Sequence, residues 1–214
     1  MTLVWLSQAR GLGVKSIGFL VASVVVAILA ATVTVQLRTP ADRLYTGPVL
    51  DSGVLVGLAL PVSVLASLLQ DRSAWLSVTS PRRLSWLRVA WLGTLLTVTL
   101  AVDLTIVAAL PAQVPARLVA ADFLALFALA LGGGVILGRP LAWIPPALFA
   151  LVCSVPGLVP IRANWLALAD RAGEVGVLAV AGITVFGGLF VLVDEYGASR
   201  YRRVFERTPG VVDD

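Results

Sequence analysis

Long apolar runs are the feature that most constrains how this chain can fold. The first run, Ile17 to Gln36, passes through 20 residues without a charged side chain. As an α-helix, a segment of this length crosses about 30 Å of hydrocarbon. Only 13% of the 214 residues are charged and the mean hydropathy is +0.97, whereas about a quarter of the residues in a typical soluble domain are charged. The sequence therefore predicts an all-α, polytopic integral membrane protein.

The apolar runs divide the chain into one transmembrane domain, expected over residues 1–194, and a basic cytoplasmic tail over 195–214. Pro61 interrupts the second run and Pro145-Pro146 the fifth, so we expect those helices to be kinked or short. The apolar stretches around Trp165 are too short to span, and that segment is expected to lie along the outer interface or to dip in and return. The six predicted spans cover residues 17–36, 53–69, 89–110, 118–137, 141–156 and 175–193.

The basic residues predict the orientation, because cytoplasmic loops carry an excess of Lys and Arg. With both termini inside, eleven of the sixteen basic residues lie on the inner side and five on the outer side. The opposite orientation would invert this bias. We therefore expect six spans with the N and C termini in the cytoplasm. The inner residues are Arg10, Lys15, Arg72, Arg82, Arg83, Arg88, Arg139, Arg200, Arg202, Arg203 and Arg207, and the outer ones are Arg38, Arg43, Arg117, Arg162 and Arg171.

The residue inventory argues against catalysis by this chain. It contains no histidine, a single cysteine (Cys153) and a single lysine (Lys15), so the usual nucleophile and base pairs cannot be assembled. No GxxxxGK[ST] motif is present to bind ATP. We predict no catalytic residues, no metal site and no cofactor bound by the chain. The basic residues lie in short loops, which favours membrane orientation over nucleic-acid binding, and the excess of Arg over Lys suggests a bacterial inner (plasma) membrane protein.

Two acidic residues, Asp103 and Asp122, lie deep in apolar sequence on consecutive predicted helices. Each costs about 2.5–3.5 kcal/mol at the centre of a membrane on insertion scales. Asp103 lies about seven residues, or roughly 10 Å, from the outer hairpin and Asp122 about one turn nearer to it, so on antiparallel helices they can be neighbours near the outer face. They are candidates for a translocation path or a proton-binding pair. The structural alternative is a bond to Arg117, to a threonine or to a backbone group.

The longest polar interruption, here called loop 70–91, separates the second and third predicted spans. It holds several arginines and three of the six tryptophans, which suits a cytoplasmic membrane face. Ser80 and Pro81 form an N-cap followed by proline at the first helical position, so we expect the third helix to begin in this loop. The alternative is that its arginines only orient the protein and touch lipid headgroups.

This loop resembles the coupling loop of permease (transmembrane) subunits of type-2 ATP-binding-cassette (ABC) exporters. The resemblance implies a short amphipathic cytoplasmic coupling helix between helices 2 and 3, which docks on a separate ATPase subunit that binds ATP-Mg. It also implies a second permease subunit, as a homo- or heterodimer. By the resemblance, the coupling residues are Asp71, Arg72, Trp75, Leu76, Ser80, Pro81, Arg82 and Arg83.

The tail carries a second segment, EYGASRYRRVFERTP, which resembles the same coupling pattern. It is either a second ATPase contact or a solvated basic helix. The residues of this possible contact are Glu195, Tyr196, Gly197, Arg202 and Arg203.

These features favour a permease subunit of an ABC-type exporter, which forms the translocation path and leaves ATP hydrolysis to its partner. Two other functions stay open. One is a secondary transporter that uses Asp103 and Asp122 as proton or cation ligands, and the other is a membrane scaffold or assembly partner without transport. The substrate is not readable from the sequence.

Overall fold

The structure is a computed structural model that describes residues 14–32, 50–69, 85–112, 114–155, 158–159 and 163–205. The regular secondary structure of this part of the chain is helical, which confirms the all-α prediction. Two short 3-10 turns, Arg139–Leu141 and Ala169–Arg171, precede the last two α-helices. The α-helices are Val14–Thr32 (α1), Ser52–Ser67 (α2), Ser85–Ala109 (α3), Ala116–Ile136 (α4), Ile144–Ser154 (α5) and Ala172–Phe205 (α6).

Four of these helices, α1, α3, α4 and α6, are long and apolar enough to cross a membrane. The prediction of a membrane protein with transmembrane helices is therefore confirmed by the length and composition of these helices. The other two apolar segments, Ser52–Ser67 and Arg139–Ser154, are shorter. At about 1.5 Å per residue, each covers roughly 24 Å, which is less than the usual hydrocarbon thickness. The described residues contain six α-helices near the six predicted spans, and whether both short helices cross the membrane stays a prediction.

The contacts between α4 and α6 show that these two helices run in the same direction. A Cβ placed on Gly176 would lie 3.9 Å from the Cβ of Ala121, and one placed on Gly182 would lie 3.0 Å from the Cβ of Ala128. The residue numbers of the contacting pairs therefore increase in the same direction along both helices. Small residues at these positions allow the two backbones to approach closely.

The remaining contacts show that the helices from α2 to α6 alternate in direction. Ser52 at the start of α2 meets Ser154 at the end of α5, while Leu69 just after α2 lies near Gly134 at the end of α4. Only a short turn joins α3 to α4. The bundle thus has two ends. The Asp51 end holds the starts of α2, α4 and α6, and the Arg139 end holds the starts of α3 and α5.

Helix α4 forms the centre of the bundle, with 67% of its apolar window buried against 17–22% in α1, α3 and α6. It packs against α2, α3, α5 and α6. A helix that is apolar on all sides is expected at such a position. Its largest fully buried side chains are Phe123, Phe127, Leu118, Leu126 and Leu131. The outward faces of α1, α3 and α6 carry most of the exposed aliphatic side chains, as lipid-facing surfaces do.

Helix α6 continues past the predicted end of the sixth span at residue 193 and ends at Phe205. The first part of the predicted tail is therefore one continuous helix with the last span. Its 34 residues extend roughly 51 Å. Most of loop 70–91, residues 70–84, lies outside the described residues, so the coupling helix stays a prediction.

Candidate functional site at the Asp51 end of the bundle

Asp122 is completely buried in α4, with 0% of its surface exposed. Neither carboxylate oxygen accepts a hydrogen bond from the residues that the structure describes. Arg117, one of the expected structural partners, is exposed on the first turn of the same helix. A buried acid without a partner is costly, since an unsatisfied buried polar group costs about 1–3 kcal/mol and a charged one more. The purely structural explanation for Asp122 therefore has no support among the described contacts.

Asp103 lies on the buried face of α3 and is 6% exposed. Its Oδ1 atom accepts no hydrogen bond within the described part of the chain. Thr99, one turn earlier on the same face, is also buried, but its hydroxyl donates to the Leu95 carbonyl at 2.8 Å. The bond to a threonine that the sequence suggested is therefore not formed by this neighbour.

The two acids lie at similar depths but are not joined. Asp103 is six residues from the end of α3 and Asp122 six residues from the start of α4, or about 9 Å from the Asp51 end at helical rise. Across the described residues, no hydrogen bond or electrostatic interaction links the two carboxylates. Helix α5 packs against α4 on another side of this level.

Helix α5 ends below the level at which α4 begins. Gly133 on α4 faces Pro145 on the antiparallel helix α5, so Cys153, the second-last residue of α5, lies at about the level of Asp122, well inside α4. The neighbouring helix α2 starts at the same level, because the Ser154 hydroxyl approaches the Ser52 carbonyl at 3.3 Å while donating to the Ala150 carbonyl at 2.6 Å. The two short helices therefore leave a depression at the Asp51 end.

The segment 163–168 fills this depression. Asn164 is 6% exposed, and its Nδ2 donates to the Cys153 carbonyl at 2.8 Å. The Leu50 backbone N–H donates to the Ala167 carbonyl at 2.8 Å, which ties the segment to the start of α2. Trp165 points away from the core, with 40% exposed, and stacks under the Arg171 guanidinium at 5.0 Å. The segment thus folds against the end of the bundle, and its position in the membrane interface stays a prediction.

Asp51 supplies a further carboxylate at this end. It precedes α2 as the N-cap residue, but its side chain makes no capping bond. Both carboxylate oxygens are buried, and neither accepts a hydrogen bond from the described residues. Asn164 Oδ1 is likewise buried without a donor. The unpaired buried side-chain atoms at this end are therefore all acceptor oxygens.

Sequence reasoning missed both Asp51 and Asn164, because each appeared to be an ordinary loop residue next to an apolar run. An Asp immediately before such a run is an N-cap signal, which would have placed Asp51 at the start of α2. No local signal in the sequence would have placed Asn164 beside Cys153. Their contact depends on how the segment 163–168 folds back onto α5.

A conventional metal cluster is not formed here. In the described ranges, no group of three or more His, Cys, Asp or Glu side chains is close enough to hold a metal ion. The chemistry of this end is that of carboxylate and amide oxygens in an apolar surrounding.

The structure does not test the predicted ATPase contacts. Residues 71–83 are outside the described residues, and residues 195–203 continue α6 at the Arg139 end of the bundle. Comparison with known proteins adds no assignment: no protein-family model, no curated protein and no solved structure matches this chain.

Proposed function

We propose that this chain is the permease subunit of an ABC-type exporter, which forms the translocation path and couples to a separate ATPase subunit. The observation that carries the proposal is that both candidate coupling segments attach to the same end of the bundle. Helix α3 begins at Ser85, which lies within loop 70–91 and four positions after Pro81 in the sequence. Helix α6 passes that level and runs on to Phe205.

The packing of α3 and α6 supports this common location. A Cβ on Gly187 would lie 3.3 Å from Leu92 Cδ2, so the first turns of α3 pack beside the later turns of α6. A partner seated at the Arg139 end could therefore touch both the loop and the tail. Because each segment is joined to a membrane helix, a movement of the partner would tilt α3 and α6 as levers. This arrangement supports a partner that contacts both segments.

The proposal is tested with full-length tagged protein purified from its native membranes. We expect an ATPase subunit to co-purify and the complex to hydrolyse ATP. Substitutions in either coupling segment should release that subunit, while the permease still inserts into the membrane. Substitutions of basic residues in the predicted outer segments should leave the complex intact. The loop variant is Trp75→Ser, Leu76→Ser, Arg82→Gln and Arg83→Gln; the tail variant is Glu195→Gln, Arg202→Gln and Arg203→Gln; the control is Arg117→Gln with Arg171→Gln.

A second candidate function is secondary transport, and the buried acids Asp103 and Asp122 favour it. Ionisable residues inside membrane helices commonly mark ion or proton pathways, and neither acid has a hydrogen-bond partner at its buried oxygens in the described structure. The energy source separates the two functions. Transport by the purified chain in vesicles under an ion gradient, without ATP or a partner, would replace the exporter proposal with this one.

A further inference from the structure

We infer that Asp122 is a proton-binding site inside the bundle, and that the packed helices hold its side chain as a neutral carboxylic acid. The site is a single residue and does not require Asp103 as a partner. The inference concerns the folded chain itself, so it depends neither on an ATPase subunit nor on the substrate.

The first argument is the complete burial of the side chain. Asp122 has 0% of its surface exposed, and neither carboxylate oxygen accepts a hydrogen bond within the described part of the chain. An ionised carboxylate is far more costly to bury than the neutral acid, and a buried acid without a partner becomes neutral instead of staying charged. Burial without any hydrogen bond therefore favours the protonated form.

The second argument is the face of α4 on which Asp122 lies. A Cβ on Gly133 would lie 2.7 Å from Pro145 Cγ, so Gly133 faces α5. Asp122 comes eleven positions before Gly133, which is about three full helical turns. Both residues therefore lie on the face of α4 that packs against α5, and Asp122 is enclosed on the side where that helix ends.

The end of α5 disfavours a negative charge at this level. Helix α5 runs antiparallel to α4 and ends at Ser154. The contact between Gly133 and Pro145 places this end at about the level of Asp122. Because the last carbonyl groups of a helix carry a partial negative charge, they would repel an ionised Asp122. A neutral acid avoids this repulsion.

The basic residues on the elements around α4 do not offset an ionised Asp122. Among the described residues, Arg117 is exposed on the first turn of α4, and Arg171 stacks on Trp165 and approaches Glu174 at 4.0 Å. Arg88, Arg139 and the basic residues of α6 after residue 193 belong to the opposite end of the bundle. The other ionisable groups on these elements towards the Asp51 end carry no positive charge: Asp51 before α2, Asp103 on α3, Cys153 on α5, Glu174 on α6 and Asp170 on a 3-10 turn.

The proton is thus part of the folded structure. In the unfolded chain Asp122 is hydrated and holds the proton less tightly, so stability falls as the pH rises through the range in which the folded protein releases the proton. Release leaves an ionised carboxylate on the buried face between α4 and α5, and these helices have to separate before water can hydrate it.

The test uses the purified full-length protein and two readouts. Infrared spectra report the proton directly, through the C=O stretching band of a carboxylic acid. We expect this band in the wild-type protein at neutral pH, and we expect Asp122→Asn, a neutral isostere, to remove it or to reduce it by one group. The second readout is the thermal unfolding midpoint from acidic to alkaline pH. It should fall by about 3–5 °C per pH unit through the release range, and Asp122→Asn should remove this fall.

Glu174→Gln is the matched control, because it removes an exposed acid at the same end of the bundle. It should keep both the band and the fall in the midpoint. The inference is overturned if the wild-type protein shows no carboxylic acid band at neutral pH. It is equally overturned if Asp122→Asn leaves the band undiminished, or if the midpoint of that variant falls as steeply as in the wild type.

A second variant decides the matter if Asp122→Asn does not fold. In a chain with Asp51→Asn and Asp103→Asn, Asp122 is the one acid left with buried oxygens among the described residues. The band should persist in this chain, and its absence would refute the proton site. A proton bound at Asp122 without any proton-driven transport would leave the exporter proposal as it stands.

Discussion

Single glycines decide how closely the helices at the centre of the bundle approach. A Cβ on Gly133 would lie 2.7 Å from Pro145 Cγ and 3.2 Å from the Ala142 carbonyl oxygen. Neither neighbour is the end of a flexible side chain, so the start of α5 would have to move. Gly93 on α3 is the opposite case, because a Cβ there meets nothing within 4 Å. The same residue type therefore has different roles on two helices of the bundle.

This contrast gives a prediction at the residue scale. We expect Gly133→Ala to destabilise the protein by about 1–3 kcal/mol, the usual cost of overpacking a tight contact. Gly93→Ala should be neutral or slightly stabilising, by up to about 1 kcal/mol, because alanine is the better helix former. Unfolding midpoints of the two variants in the same detergent provide the measurement. Equal midpoints would show that α4 and α5 do not approach this closely.

The fifth helix and the segment after it form a unit at the scale of elements. Helix α5 has only 11 residues, and a 3-10 turn precedes it. The segment 163–168 then covers its end through the bond from Asn164 to the Cys153 carbonyl. A short helix leaves room that a returning segment can fill. The single cysteine lies under that segment and reports on its position.

At the element scale we predict that Asn164→Ala loosens the segment 163–168. Loss of one hydrogen bond costs about 0.5–1.5 kcal/mol, which corresponds to roughly a 2- to 10-fold faster maleimide reaction at Cys153. Ser63→Ala is the matched control, because it removes a hydroxyl that donates to the Ala59 carbonyl at 2.7 Å on α2, away from the segment. An unchanged rate in Asn164→Ala, or an equal rise in the control, would contradict the role given to this bond.

For the whole molecule, the alternating helices predict which positions face each side of the membrane. The contacts place Ala112 and Ala163 at the Asp51 end, where both are exposed, and Ser199 on the extension of α6 beyond the Arg139 end. The excess of basic residues in the predicted inner segments predicts that the Arg139 end is cytoplasmic. The buried Ala167, 4% exposed, would be a poor probe although it lies in an outer segment.

We therefore expect an impermeant thiol reagent added to intact cells to label cysteines at positions 112 and 163, in a chain that carries Cys153→Ala. Cysteines at positions 80 and 199 should react only after the membrane is opened. The reason is that helices alternating in direction bring these two pairs to opposite faces. Labelling of position 80 in sealed cells would reverse the orientation and would remove the cytoplasmic coupling loop.

The sequence by itself determined the helical fold class, the membrane environment and the approximate positions of the helices. The rise of an α-helix and the thickness of the hydrocarbon layer fix how many apolar residues are needed to cross a membrane. A run such as Ile17 to Gln36 therefore predicts a transmembrane helix without tertiary information. The depths of Asp103 and Asp122 followed from counting along their helices. Loop 70–91 and its resemblance were also visible, and their role stays a prediction.

Only the tertiary structure decided which polar groups meet. Counting along the helices brought Asp103 and Asp122 to within about one turn of each other and suggested a pair, but no hydrogen bond joins their buried oxygens in the described residues. The packing also brought Asp51 and Asn164 to that end of the bundle, although 113 positions separate them in the sequence. Neighbours of this kind depend on helix rotation and on the path of the segment 163–168. Neither is encoded in apolar length or charge, because both are set by how small and large side chains fit around α4.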